Sequence, residues 1–315
     1  MRVAAIDIGT VTSRLFVADV DQDGVKTVMR QAVITNLGEG VDATGYLSEE
    51  AIERTVSQVA KYKALVDECS AQVPVDRLVA LATSASRDAK NADVFVNRLR
   101  EVGVELTVIP GAREAELSFL GASNDFRGQD LLFSDIGGGS TELVFGRADA
   151  EPGQLVPQVT MKDAFSFDVG CRRMTERFFV SDPPAPEEVE AAKAWARQIL
   201  EPFFQNGHRC ERVVAVAGTA TSIVAVRDEL VPYDSNRVHG AVVTREEFDG
   251  VAQRLFSLPL EERMKLPGIQ PKRAGVLPAG VVILGVIMDL ADLDEFTACE
   301  SDILVGIVLD AVSQA

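Results

Sequence analysis

The segment Asp7-Ile8-Gly9-Thr10-Val11-Thr12 has a second copy in the same chain. Asp135-Ile136-Gly137-Gly138-Gly139-Ser140 follows 128 residues later, and the copies align without a gap through Leu15 and Leu143. Each copy is preceded by a β-rich apolar run (residues 2–6 and 131–133) and followed by another (15–18 and 143–146). Each therefore reads as a strand, a glycine turn and a returning strand. An offset of this size far exceeds a solenoid period, so it points to duplication of a whole domain. With 315 residues the chain has room for two domains with buried cores.

Helical patterns alternate with the strands. Ser48-Glu49-Glu50 opens a helix whose apolar positions Ile52, Val56, Val59 and Val66 recur at near-helical spacing. Residues 78–82 and 106–109 read as strands, 91–102 and 112–122 as helices. Pro186-Glu187-Glu188 starts a further helix, and Thr244 with Glu247 forms a capping box. Residues 301–312 form a last apolar helix after a strand at 295–299. Ala217-Gly218-Thr219-Ala220-Thr221, after the apolar run 213–216, reads as a third strand and turn of the same style. Strands alternating with helices indicate an α/β architecture.

Charge and residue usage narrow the chemistry. A net charge of -17 argues against nucleic acid or a membrane surface as partner through a global basic field. The apolar run 276–288 is too short for a bilayer and is interrupted by Pro278, Gly280 and Gly285. No secretory signal is visible, so a cytoplasmic location is expected. The four cysteines form no CxxC pair, which speaks against a disulfide framework or a zinc site. With only His208 and His239 present, a Ser-His-Asp triad or a multi-histidine metal centre is disfavoured.

A glycine turn bearing hydroxyls lets backbone N–H and O–H groups converge on an anion, because no Cβ blocks approach. Gly9, Thr10 and Thr12 in the first turn, Gly137, Gly138, Gly139 and Ser140 in the second, and Gly218 and Thr219 in the third are the candidate phosphate contacts. Asp7 and Asp135 stand at strand ends, where a carboxylate can hold magnesium directly or through water. Ordinary hairpin turns built of Asp and Gly remain the alternative for any one copy.

The arrangement resembles the actin-like phosphotransferase superfamily. Within it, Asp135-Ile136-Gly137-Gly138-Gly139-Ser140-Thr141-Glu142 is similar to the signature of the exopolyphosphatase and guanosine pentaphosphate phosphohydrolase family. The blocks Ala82-Thr83-Ser84-Ala85-Ser86-Arg87-Asp88-Ala89, Gly111-Ala112-Arg113-Glu114-Ala115-Glu116 and Asp168-Val169-Gly170-Cys171 resemble it too. So does Arg273-Ala274-Gly275-Val276-Leu277-Pro278-Ala279-Gly280, and the matches cover essentially the whole chain in order.

The resemblance implies two ribonuclease-H-like, actin-like ATPase lobes with an interlobe cleft. They are expected at residues 1–120 and 121–315, with helix 301–312 returning to the first lobe and Gly121 and Gly275 as hinge candidates. It implies that Glu114 is the base that activates water. Asp135 and Glu142, with Asp7, would serve the metal, and Arg87 would face the phosphates. Without the resemblance, Glu114 reads first as compensation of a helix dipole, and Arg87 reads equally as a helix-surface charge.

The implied activity is magnesium-dependent hydrolysis of the terminal phosphate of inorganic polyphosphate, with manganese as a substitute ion. Alternatives are hydrolysis of guanosine pentaphosphate to the tetraphosphate, a small-molecule kinase, and a non-catalytic alarmone or polyphosphate sensor. A homodimer is expected from the family. Two departures stand out. Val11 replaces a polar residue in the first turn, leaving backbone and hydroxyls for phosphate, and the chain matches the short members that lack an additional C-terminal helical domain.

Overall fold

The computed structural model describes residues 1–151 and 153–314. It divides into two units, each built around one sheet. The first comprises Met1–Gly128, Ala148–Thr160 and Asp302–Ala315, the second Gln129–Arg147 and Met161–Ser301.

The first unit opens with β1 (Arg2–Ile8), β2 (Thr12–Asp21) and β3 (Gly24–Ile34), an antiparallel meander. After α1 (Val41–Thr44) and α2 (Glu49–Gln72) come β4 (Arg77–Ala82), α3 (Ser84–Asp88), α4 (Ala92–Glu101), β5 (Leu106–Val108) and α5 (Gly111–Ser123). The sheet order is β3-β2-β1-β4-β5, with β4 and β5 parallel to β1. Strand β1 is covered on both faces, which is why it reads as an unbroken apolar run rather than an alternating one. Its residues Ala4, Ile6 and Ile8 pack with Ile52, Val59 and Tyr62 of α2 on one face.

The second unit contains β6 (Leu131–Ile136), most of β7 (Thr141–Asp149) and of β8 (Gln158–Phe167), α6 (Cys171–Phe178), α7 (Pro186–Phe204) and β9 (Arg212–Val216). Next come α8 (Ala217–Arg227), α9 (Ser235–Val238), β10 (Val242–Thr244), α10 (Arg245–Ser257) and α11 (Leu260–Arg263). The chain then runs through α12 (Leu277–Ala291) and β11 (Glu295–Ala298), giving the sheet order β10-β11-β9-β6-β7-β8. The interrupted apolar run of the sequence is α12, buried along almost its whole length within the core of this unit. Among the described residues, no helix is long and apolar enough to cross a membrane. The four cysteines are free thiols.

Helix α13 (Ile303–Ser313) belongs to the first unit. Ile303, Leu304, Ile307 and Val308 cover the other face of the first sheet, against Val3, Ala5 and Phe16. Each fully buried Leu or Ile of this kind stabilises by about 1.5–3 kcal/mol. The helix also lies against α5 at backbone distance. A Cβ on Gly306 would sit 1.8 Å from the Leu117 carbonyl oxygen, and one on Gly121 would sit 2.0 Å from that of Asp302.

Two sequence expectations are corrected here. The division between units falls at Gly128, not at residue 120, because residue 120 is inside α5, a continuous helix packed on α13. Gly121 is accordingly a contact point between helices in the middle of a packed interface, a poor place for a hinge. The run 213–221 is a strand followed by a sharp turn, but the turn leads into a helix and no strand returns. Ala217 adopts the left-handed conformation (φ 61°), and the chain passes straight from β9 into α8.

Candidate active site

The duplication inferred from sequence is present as two hairpins with the same turn. Gly9 N donates to the Thr12 carbonyl over 3.0 Å, and Gly137 N to the Ser140 carbonyl over 2.9 Å. In both, further turn carbonyls are occupied. Thr10 O accepts from Gly38 N, and Val11 O from Thr35 N and Asn36 N. Gly137 O accepts from Cys171 N, and Gly138 O from Arg172 N and Arg173 N. The Arg173 Nε binds Gly139 O at 2.9 Å. The amides of Thr10, Val11, Gly138, Gly139 and Ser140 have no protein acceptor among the described residues. A turn whose carbonyls are bound and whose amides are not is a concentration of positive partial charge suited to an anion.

Close packing enforces this arrangement. A Cβ at Gly170 would lie 2.4 Å from the Gly138 carbonyl oxygen, so the segment entering α6 can bind those carbonyls only with glycine there. Gly38 plays the matching part against Thr10, where a Cβ would come within 2.3 Å of Cγ2. Sequence reasoning passed over Gly38. The Thr10 hydroxyl pairs with Ser84 Oγ at 2.8 Å, tying the first turn to the start of α3. Val11 is buried, so its apolar side chain serves the core while its amide remains in the turn.

The residues facing the two aspartates differ. In the first hairpin Asp7 is the cross-strand partner of Arg14, and in the second Asp135 is the partner of Glu142. Arg14 donates from Nε (2.9 Å) and Nη2 (2.7 Å) to Oδ2 of Asp7. Burial pushes the Asp7 carboxyl above its usual range, opposed by the Arg14 guanidinium. Arg14 also donates to Oδ2 of Asp302, the N-cap of α13, which Arg30 reaches at 3.3 Å. Neither Arg14 nor Asp302 was singled out from sequence. Asp302 lies 288 residues beyond Arg14, and no local pattern announces the pairing.

In the second unit Asp135 and Glu142 are both buried, and Ser166 Oγ donates to Glu142 Oε1 at 2.6 Å. Two acids directly opposite on neighbouring strands repel each other. Oxygen donors in that arrangement match the hard divalent cations magnesium and calcium.

Glu114 sits in the first turn of α5 and is 7% exposed. Arg87, in α3, places Nη1 3.1 Å from its Oε2 and 3.3 Å from the Ile109 carbonyl. The fork's other nitrogens make no hydrogen bond to a described residue, and the side chain remains a quarter exposed. Arg87 thus holds Glu114 with one arm and offers the other.

Gly218 and Thr219 lie at the start of α8. A Cβ on Gly218 would lie 1.5 Å from Nη1 of Arg273, so the guanidinium lies directly on that glycine. Thr219 is buried against Gly280. The cation presented at this point is Arg273, and the glycine serves its packing rather than forming a third bare turn.

A model of the Ppx/GppA phosphatase family matches residues 16–315. This chain belongs to the Ppx/GppA phosphatase family. Membership makes it a phosphoanhydride hydrolase. Exopolyphosphatase 2 of Mycobacterium tuberculosis is 36% identical over 326 aligned residues, covering 98% of each chain. Among solved structures, an exopolyphosphatase-like protein superposes with a TM-score of 0.89 at 34% identity, covering 98% of this chain and 97% of the other. The Aquifex aeolicus member of the Ppx/GppA family gives 0.81 at 31% identity, covering 100% of this chain and 98% of the other. The expected α/β architecture, with one sheet in each of two units, is shared with these Ppx/GppA structures over nearly the whole chain.

Proposed function

We propose that this Ppx/GppA phosphatase is an exopolyphosphatase, releasing orthophosphate from the end of inorganic polyphosphate with Glu114 as the base. One observation carries the reading most directly: each unit repeats a turn in which most carbonyls are bound internally while successive amides are left without protein acceptors among the described residues. Each such turn suits a phosphoryl group, which is dense in oxygen acceptors and negative charge. The mycobacterial relative's name points the same way.

Phosphoryl transfer asks a protein mainly for positioning and charge neutralisation. Thr10, Val11, Gly138, Gly139 and Ser140 donate amide hydrogens to phosphate oxygens, and the free arm of Arg87 adds a charged donor. Glu114 accepts a proton from water as the water oxygen bonds to the terminal phosphorus. The bond from that phosphorus to the bridging oxygen breaks, leaving orthophosphate and a chain one unit shorter that carries the negative charge. Arg87, fixed on Glu114, keeps the carboxylate oriented toward the water.

Asp135 and Glu142, with Ser166 behind Glu142, fit a magnesium ion. Bound there, it would neutralise charge on the phosphate oxygens. Asp7 fits this role less well, since Arg14 already neutralises it through Oδ2; its part is to fix the first turn.

The test is orthophosphate release by the purified protein with magnesium, from polyphosphates of several lengths, guanosine pentaphosphate and ATP in parallel. Turnover of polyphosphate well above the other two supports the proposal. Turnover of guanosine pentaphosphate alone would move the assignment to the alarmone.

A further inference from the structure

Helix α13 touches both halves of the chemistry proposed for the first unit. At its N-terminus the Asp302 carboxylate divides its oxygens. Oδ1 accepts from Leu304 N at 3.0 Å and caps the helix, while Oδ2 accepts from Arg14 and Arg30. Arg14 in turn grips Asp7, immediately before the first glycine turn.

The same helix is locked to α5, the helix that bears Glu114. Gly121 abuts the Asp302 carbonyl, and Gly306 abuts that of Leu117, one turn after Glu114. Farther along, Asp310 binds Nη2 of Arg113 at 2.6 Å, next to Glu114 in sequence. A displacement of α13 therefore moves the turn and the base together.

We infer that Asp302 is a positioning residue, which holds Arg14 against Asp7 and so fixes the first phosphate turn relative to Glu114. The inference rests on the hydrolysis proposed above. Asp302 is 4% exposed and already engaged by Leu304, Arg14 and Arg30, so its part in turnover runs through these neighbours. Arg14 is the only one of them that reaches the aspartate of the turn.

The test is Asp302→Asn in the full chain. Asparagine caps a helix as well as aspartate does, so the Leu304 contact survives while the charge facing Arg14 is removed. The expected result is a fall in kcat on polyphosphate of about 10- to 100-fold, the scale of a catalytic group misplaced by a fraction of an ångström to an ångström. KM stays within about twofold, because amide contacts to the substrate remain. Arg14→Lys, which keeps charge but loses the fork, should show the same split. The double variant should be no slower than the worse single one, since both substitutions break one linkage.

An unchanged kcat in both single variants overturns the inference. So does a rise in KM at constant kcat, or a double variant whose losses multiply. If Asp302→Asn does not fold, Arg14→Lys carries the same kcat and KM comparison alone. A wild-type protein that releases no phosphate from polyphosphate overturns the proposed function and this inference with it.

Discussion

Asp135 and Glu142 face each other as cross-strand partners in β6 and β7, at the same register where the first hairpin sets Arg14 opposite Asp7. The duplicated frame thus sets a guanidinium opposite one aspartate and a second acid opposite the other. Chelation should abolish hydrolysis, and magnesium should restore it. Asp135→Asn should shift the midpoint of the magnesium titration upward by about tenfold or more, judged against the 10- to 100-fold costs of losing even indirect metal partners. Full activity in the presence of a chelator would rule out this use of the pair.

The glycine beneath the second turn gives a steric test. Gly170→Ala forces a methyl group to within 2.4 Å of the Gly138 carbonyl oxygen and must displace the turn. A loss of activity on the order of 100-fold is expected. Gly250→Ala, in the middle of α10 with nothing within 4 Å of the added methyl, should leave activity intact and stabilise by about 0.5–1 kcal/mol. Thermal melting and phosphate release on the two variants distinguish a local clash from a general intolerance to alanine.

Glu247 closes the capping box of α10, accepting from Thr244 N at 2.9 Å. That backbone hydrogen bond, helped by Arg227, holds its carboxyl below the usual range. A depressed folded value means the stabilisation is complete above the unfolded pKa of about 4.3 and is lost as pH falls through the folded value. Glu247→Ala should therefore melt below wild type at pH 7, and the gap should close as pH falls below the ordinary carboxylate range. A gap independent of pH would assign the effect to packing.

Much of the fold was legible because strands and turns are local. The β1 and β6 runs, the caps at Ser48 and Thr244, and the glycine turns each lie within a few residues. The 128-residue offset even held in register, pairing Asp7 with Arg14 as it pairs Asp135 with Glu142. What escaped depends on distant chain. Asp302 reaches Arg14 only because α13 returns to the first sheet, and Gly38 and Gly170 matter only through the carbonyls they abut. The packing of Arg273 on Gly218 was hidden for a related reason, since the two lie 55 positions apart.

The proposed role of Glu114, held by Arg87, as the base for polyphosphate hydrolysis is tested most directly by Glu114→Gln. Glutamine preserves shape and can still accept from Arg87, but it cannot take a proton from water. Orthophosphate release with magnesium should fall by about 100-fold or more, with little change in KM for polyphosphate. Turnover within about twofold of wild type would contradict the account.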